Sequence, residues 1–232
     1  MSDNKLQVSP RVIIQLLIVV LLIPLLPILI SGRWGWWEGW VYAGIATLGF
    51  VISRVLASRV HPDLLAERSR FADHQDAKSW DKILARIVGL GAGLVPLAVG
   101  LEHRLGDGVE YSLNLNLLGL ILLLAGYLLG TWALIANRYF SGVVRIQHDR
   151  GHQVVSGGPY ALIRHPGYVG ALLSYVGTPL FLDAGWTFLA VAFLTGALVL
   201  RTSLEDRTLQ KELPGYREYA GEVRYRLIPG IW

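Results

Sequence analysis

Four stretches of this chain, at 12–31, 40–57, 83–102 and 113–136, run for about twenty residues with at most two charged side chains each. That is the length of α-helix needed to cross the hydrocarbon core of a bilayer. A further apolar stretch, 168–200, is broken at Leu182-Asp183-Ala184-Gly185-Trp186, a turn signal between apolar flanks. It reads as two short antiparallel helices, which makes six spans. Taken as a single crossing or a re-entrant pair, it would make five. Lipid offers no partner to exposed backbone N–H and C=O groups, so spans of this kind are helical. The expected fold is an all-α, polytopic integral membrane helical bundle forming one membrane domain. Composition agrees: 53% of residues are hydrophobic and 16% charged, against about 25% charged in soluble domains. The absence of cysteine excludes disulfides, cysteine-bound zinc, iron–sulfur clusters and thiol nucleophiles. The first apolar run is longer than a signal-peptide core and no small-x-small cleavage pattern follows, so it reads as a retained helix despite Pro24 and Pro27.

The formal charge of +4 and isoelectric point near 9.4 read as charge placed for topology, with no nucleic-acid partner. With six spans, nineteen of the 21 Lys and Arg residues fall on one side and only Arg33 and Arg104 on the other. The positive-inside rule then puts both termini in the cytoplasm, and in a bacterium the membrane would be the inner one. Trp34, Trp36, Trp37 and Trp40 form an interfacial belt near the first outer loop. Residues 1–136 supply four spans and a cytoplasmic segment, 58–82, whose Leu64, Leu65, Phe71 and Trp80 suit the membrane interface. His61 and His74 in that segment have no neighbours at metal-ligand spacing and read as solvated, with no metal expected.

Residues 137–232 carry the dense polar positions, in two blocks on the cytoplasmic side: Arg138–Tyr168 and Arg201–Trp232. Gly157-Gly158-Pro159 is a turn from which a helix could start at Pro159, a place suited either to an anionic group or to a plain loop-to-helix junction. In Arg164-His165-Pro166 the proline drives His165 out of the α region and aims its side chain away from the next helix. Ionisable groups beside an apolar span are paired or in use. Arg201 and Glu205 share a helical face and suit an i, i+4 pair; as a functional set, Arg201 would grip a carboxylate while the acids accept ligand protons. Gly89, Gly91 and Gly93, and Gly126 with Gly130, read as small-residue helix packing.

The ordered motifs Asp149-Arg-Gly-His-x-Val-Val155, Gly158-Pro-Tyr160, Arg164-His-Pro-Gly-Tyr-x-Gly170, Arg201, Glu205-Asp206, Leu209, Pro214-Gly-Tyr-x-x-Tyr219 and Arg226-x-x-Pro229 resemble the isoprenylcysteine carboxyl methyltransferase family, which is related to phospholipid N-methyltransferases. The likeness is strong over 137–232, including Asn137 and Arg145-Ile146-Gln147, and weak before it, in His61-Pro-x-Leu-Leu-x-Glu-Arg68 and Trp80-Asp81-Lys82.

The resemblance implies an S-adenosylmethionine-dependent methyltransferase. Its cofactor would be bound by His152, Val155, Gly158, Tyr160, Arg164, His165, Pro166, Tyr168 and Glu205. Arg201 and Glu205 would be catalytic, with Asn137, Arg201 and Asp206 towards the substrate. The partners implied are the lipid bilayer and a lipid-like or prenylated small molecule, most simply a carboxylate to be O-methylated. The other readings are a phospholipid or amine N-methyltransferase, a membrane sterol-type reductase, and a non-catalytic scaffold. Leu204-Glu205-Asp206-Arg207 is a shorter acidic run than prenyl-protein methyltransferases often carry, which leaves the acceptor open.

Overall fold

The computed structural model describes residues 17–69, 74–106 and 108–232. Lys5, Arg11, Phe71 and the first residues of the 12–31 run lie outside them. Every regular element among the described residues is helical.

A single π-helical turn, Ile18–Leu22, leads into α1 (Ile23–Ser31). This helix ends at Gly32, which takes a φ of 71° while its N–H bonds the carbonyl of Ile28, a left-handed cap that glycine adopts without strain. Helix α2 (Trp37–Val60) stops at His61, the residue before Pro62, because that position is pushed out of the helical region. Pro62 then opens the short α3 (Pro62–Ser69). Helices α4 (Asp81–Leu105) and α5 (Leu113–Ala136) follow. After a long loop come α6 (Pro166–Phe181), α7 (Phe188–Glu212) and α8 (Tyr216–Glu222).

Four helices, α2, α4, α5 and α7, are long and apolar enough to cross a membrane. At 24 or 25 residues each and about 1.5 Å per residue they exceed the roughly 30 Å of hydrocarbon. The molecule is thus a helical membrane protein, with four helices of spanning length among the described residues. Of the other two expected spans, α6 has 16 residues, and the run 12–31 lies partly outside the described residues. The apolar stretch 168–200 does reverse at Leu182–Thr187, but its two arms are unequal. Helix α7 outruns its apolar segment because Leu, Glu, Arg, Gln and Lys at 204–212 are good helix formers; it stops at extended Leu213, just before Pro214.

The tightest packing joins α5 and α6. A Cβ on Gly170 would sit 2.7 Å from the Gly126 carbonyl oxygen and 2.8 Å from the Gly130 nitrogen; one on Gly177 would sit 2.6 Å from both the Gly119 oxygen and the Leu123 nitrogen. The two backbones therefore touch, as small residues permit in membranes. Gly91 lies under Tyr175 and Leu194, whereas Gly89 borders open space.

Arg33 and Arg104 share one end of the bundle, where Arg104 Nη1 donates to the Ile30 carbonyl at 3.0 Å and Arg33 Nη2 to the Gly106 carbonyl at 3.2 Å. There the reversal between α6 and α7 is clamped. The buried Glu102 carboxylate accepts the N–H groups of Trp186 (3.1 Å) and Thr187 (3.0 Å) and the Thr187 hydroxyl (2.8 Å), satisfying the first donors of α7. Asp183 accepts from the Tyr111 N–H and the Asn116 amide.

Candidate active site

At the opposite end a part-enclosed cavity lies among the 137–165 loop, the start of α6, the last turns of α7, and α8. Its walls bring together Asn137, His152, Val155, Tyr160, Arg164, His165, Tyr168, Arg201 and Glu205. Gly158, Pro166 and Asp206, also singled out by sequence, do not line it. Gly158 has φ 60° and opens a single 3-10 turn, Gly158–Ala161, in place of the longer helix expected from Pro159. The turn cannot continue into α6, because the N–H groups of Arg164 and His165 bond the carbonyls of Tyr225 (2.9 Å) and Arg226 (3.0 Å) in the C-terminal segment.

Asp206 is fully buried behind the wall. It accepts from Arg164 Nε (2.7 Å) and Nη2 (3.0 Å), Arg226 Nε (2.8 Å), Gln210 Nε2 (2.7 Å) and the Tyr216 hydroxyl (3.1 Å), with His165 Nε2 at 3.4 Å. A carboxylate so committed has no capacity left for a ligand; its work is to fix Arg164 and His165 at the cavity. His165 sits at φ −126°, outside the α region as the following proline requires, and its ring stacks on Tyr168.

Glu205 differs from its neighbour. Among the described residues it is the one acidic side chain lining the cavity, and its partner is the Tyr168 hydroxyl, at 2.5 Å. Arg201, one helical turn earlier, turns away from it: Nε and Nη2 hold the two oxygens of fully buried Asp81 at 2.7 and 3.1 Å, and Nη2 also reaches the Gly142 carbonyl. The i, i+4 pair expected between Arg201 and Glu205 does not form, because Asp81 at the start of α4 offers a bidentate fork. Asp81 also accepts the Val144 N–H at 2.6 Å, which ties the loop to the same point.

His152 Nδ1 accepts the Gln147 N–H at 3.3 Å, so the ring's proton belongs on Nε2. Burial, joined by the charges of Arg145, Arg150 and His148, pushes the His152 imidazole down to about 4, and the ring is neutral at ordinary pH. Burial also pushes the Tyr160, Tyr216 and Tyr219 phenols upward, so these hydroxyls remain donors; Tyr219 donates to the Tyr160 carbonyl at 2.7 Å. Asn137 Oδ1 is held by the Tyr139 N–H.

Sequence reasoning gave no site role to Asp81, Tyr139, Gln147, Tyr216 and Tyr219, although all but Tyr139 stand in the motifs that carry the resemblance. A buried acid at the first position of an apolar helix is the signal that marks Asp81. In the segment 58–82, expected at the membrane interface, the described residues of α3 and 74–81 pack against this end of the bundle. Leu64 is buried against Ala57, Leu134 and Phe140. Ion pairs tie the segment to the C-terminal half: Glu67 and Asp76 meet Arg145, Asp63 meets Arg138 and Arg150, and Lys78 meets Glu212. Its histidines are partnered, His61 with the Ile135 carbonyl at 2.9 Å and His74 with Glu67. Among the described residues no group of three or more His, Cys, Asp or Glu is placed to hold a metal.

Fold and site together define a helical membrane protein with a polar, tyrosine-rich cavity at one end of its bundle, built mainly by the C-terminal half. Residues 117–211 match the isoprenylcysteine carboxyl methyltransferase (ICMT) family, and in this part the chain is ICMT-like. It is 36% identical over 108 residues to a rice protein (Oryza sativa subsp. indica) named "Probable protein-S-isoprenylcysteine O-methyltransferase", covering 45% of this chain and 56% of that one. Over 124 residues it is 36% identical to the "Cobalt-zinc-cadmium resistance protein CzcN" of Cupriavidus metallidurans, covering 51% of each chain. Over 95 residues it is 30% identical to the mouse "Delta(14)-sterol reductase TM7SF2", covering 40% of this chain and 23% of that one. The chain thus spans about half or less of the length of these relatives.

Proposed function

We propose that the protein is an S-adenosylmethionine-dependent membrane methyltransferase acting on an amphipathic acceptor that carries a carboxylate. The observation that carries this reading is Glu205: the carboxylate in the wall of an aromatic-lined cavity, hydrogen-bonded to the Tyr168 phenol, while the guanidinium of nearby Arg201 is committed to Asp81. Such a group suits the ammonium of an amino-acid-bearing cofactor, while the Tyr139, Tyr168, Tyr216 and Tyr219 rings suit a sulfonium. Arg164, His165, His152 and Tyr160 would hold the rest of the cofactor, with the Asp206 cluster keeping Arg164 in place. The family match over 117–211 supports the same assignment.

When bound, S-adenosylmethionine supplies an electrophilic methyl group on a sulfonium sulfur. An acceptor carboxylate already carries the attacking electron pair and needs no base, so the residues' work is alignment and exclusion of water. Arg201, held flat by Asp81, is the cavity-wall cation nearest that task. The charge partition read from the sequence supports a cytoplasmic cavity, where a soluble cofactor meets a membrane-borne acceptor.

The test is calorimetric titration of the purified protein with S-adenosylmethionine, followed by labelled-methyl transfer to membrane lipid extract and to a farnesyl-cysteine analogue. Arg164→Ala and Glu205→Ala should both weaken cofactor binding. Binding unchanged in both variants would overturn the site, and binding of a nicotinamide cofactor in its place would move the protein to the reductases.

A further inference from the structure

A guanidinium carries five N–H donors, and the fold commits three of those on Arg201. Nε gives its one to Asp81 Oδ1 at 2.7 Å, and Nη2 divides its two between Asp81 Oδ2 at 3.1 Å and the Gly142 carbonyl at 3.0 Å. Nη1 has no acceptor among the described residues. The side chain is buried yet lines the cavity, and its guanidinium lies 5.6 Å from the ring of Tyr168, whose hydroxyl holds Glu205. A planar group gripped along its Nε–Nη2 edge has its remaining donors pointing in one fixed direction.

The grip comes from the other half of the chain. Asp81, fully buried at the start of α4, is itself seated by a turn in which its N–H bonds the Lys78 carbonyl at 2.9 Å. The same turn holds Val144 by both backbone groups: its N–H donates to Asp81 Oδ2 at 2.6 Å, and its carbonyl accepts the Lys78 N–H at 3.0 Å. Val143 packs beside it with Ala77 and Ala85, and Val143 and Val144 both line the cavity. One carboxylate therefore fixes a stretch of cavity wall and a cation in that wall. Compensating the charge of a buried arginine asks only for an anion nearby. The two-pronged fork does more, since it also sets the plane of the guanidinium.

Resting on the methyltransferase reading, we propose that Asp81 is a positioning residue of the transfer: by gripping one edge of Arg201 it aims the Nη1 donors at the acceptor and lines up the attacking oxygen with the methyl carbon. Asp81 touches neither cofactor nor acceptor, and no proton passes through it. The O–CH3 bond forms on the acceptor's electron pair as the S–CH3 bond breaks, with that bond's pair staying on sulfur. An in-line displacement depends steeply on direction, and a shift of about 1 Å can cost about a hundredfold in rate.

The test uses the full chain in phosphatidylcholine nanodiscs, with labelled S-adenosylmethionine and, as acceptors, membrane lipid extract supplemented with N-acetyl-S-farnesylcysteine. Asp81→Glu keeps the charge but moves the carboxylate by one methylene, and should lower the rate at saturating acceptor by about tenfold or more. Asp81→Asn keeps the shape but loses the charge and one acceptor, and should lower that rate by about a hundredfold. Acceptor KM and S-adenosylmethionine affinity should each stay within about threefold, as expected when alignment rather than binding is lost. In an Arg201→Gln background, itself slow, adding Asp81→Asn should change the rate by less than about twofold, because Asp81 acts through Arg201. A wild-type rate in Asp81→Glu reduces Asp81 to charge compensation and overturns the proposal. So does an equal loss from Asp81→Asn in both backgrounds, or a change confined to acceptor KM. If Asp81→Asn no longer binds S-adenosylmethionine, Asp81→Glu decides; loss of that binding in both variants makes Asp81 part of the fold alone and overturns the proposal as well. Failure of the underlying reading is a separate result: a wild type that binds no S-adenosylmethionine or transfers no label.

Discussion

The two ends of the bundle handle buried acid in opposite ways. At the end bearing Arg33 and Arg104, Glu102 receives three donors from the start of α7 and Asp183 receives two, so polar groups are closed off and the helix reversal is held shut. At the cavity end the same closure occurs one layer back, at Asp206 and Asp81, while Glu205 in the wall is left with a single phenol. The lesson is that a saturated carboxylate marks structure, whereas an unsaturated one beside saturated neighbours marks a place kept for a ligand.

Breaking the saturated groups should cost stability. The largest effect is expected from Asp206→Ala, which strands the buried Arg164 and should remove about 3–5 kcal/mol, read as a collapse of the melting temperature in detergent together with lost cofactor binding. Glu102→Ala, at the other end, should cost about 1–3 kcal/mol through orphaned donors yet leave S-adenosylmethionine affinity within about twofold. A matching loss of affinity there would erase the contrast between the ends. Glu205→Gln should do the reverse, weakening cofactor binding about tenfold with an almost unchanged melting curve.

A pH titration sharpens the same distinction. His152 is held near 4, whereas an imidazole in the unfolded chain titrates near 6.5. The unfolded state therefore takes up the proton first, and this group's share of stability, complete above about 6.5, is lost as pH falls towards 4. His152→Gln should flatten the melting-temperature profile across that window. The smallest effect belongs to Glu212→Gln: Glu212 and its partner Lys78 are both partly exposed, and pairs of that kind contribute about 1 kcal/mol or less.

The helical membrane class and most of the residues that gather at the cavity were legible in the sequence because both are written in runs: apolar stretches of spanning length, and two polar blocks that the fold brings together. What could not be read was pairing over long separations. Arg201 appears in sequence beside Glu205, its neighbour one helical turn away, yet its partner is Asp81, 120 positions earlier, and nothing local announces that choice. Asp206 looked equivalent to Glu205, but adjacent helical positions point about 100° apart, one into the cavity and one into the core. Helix α7, whose apolar segment ends near 200, is carried on to Glu212 by helix-forming residues.

The glycine seam between α5 and α6 has a consequence for how such a protein changes. Backbone against backbone leaves nothing to trim or enlarge, so the wall that this seam positions is fixed in shape, and most single substitutions along it would jam it. The cover contributed by residues 62–69 and 74–81 is fastened largely by ion pairs, which can be exchanged one at a time. New acceptors should therefore be reached by swapping that cover as a cassette while the stretch 117–211 stays as it is.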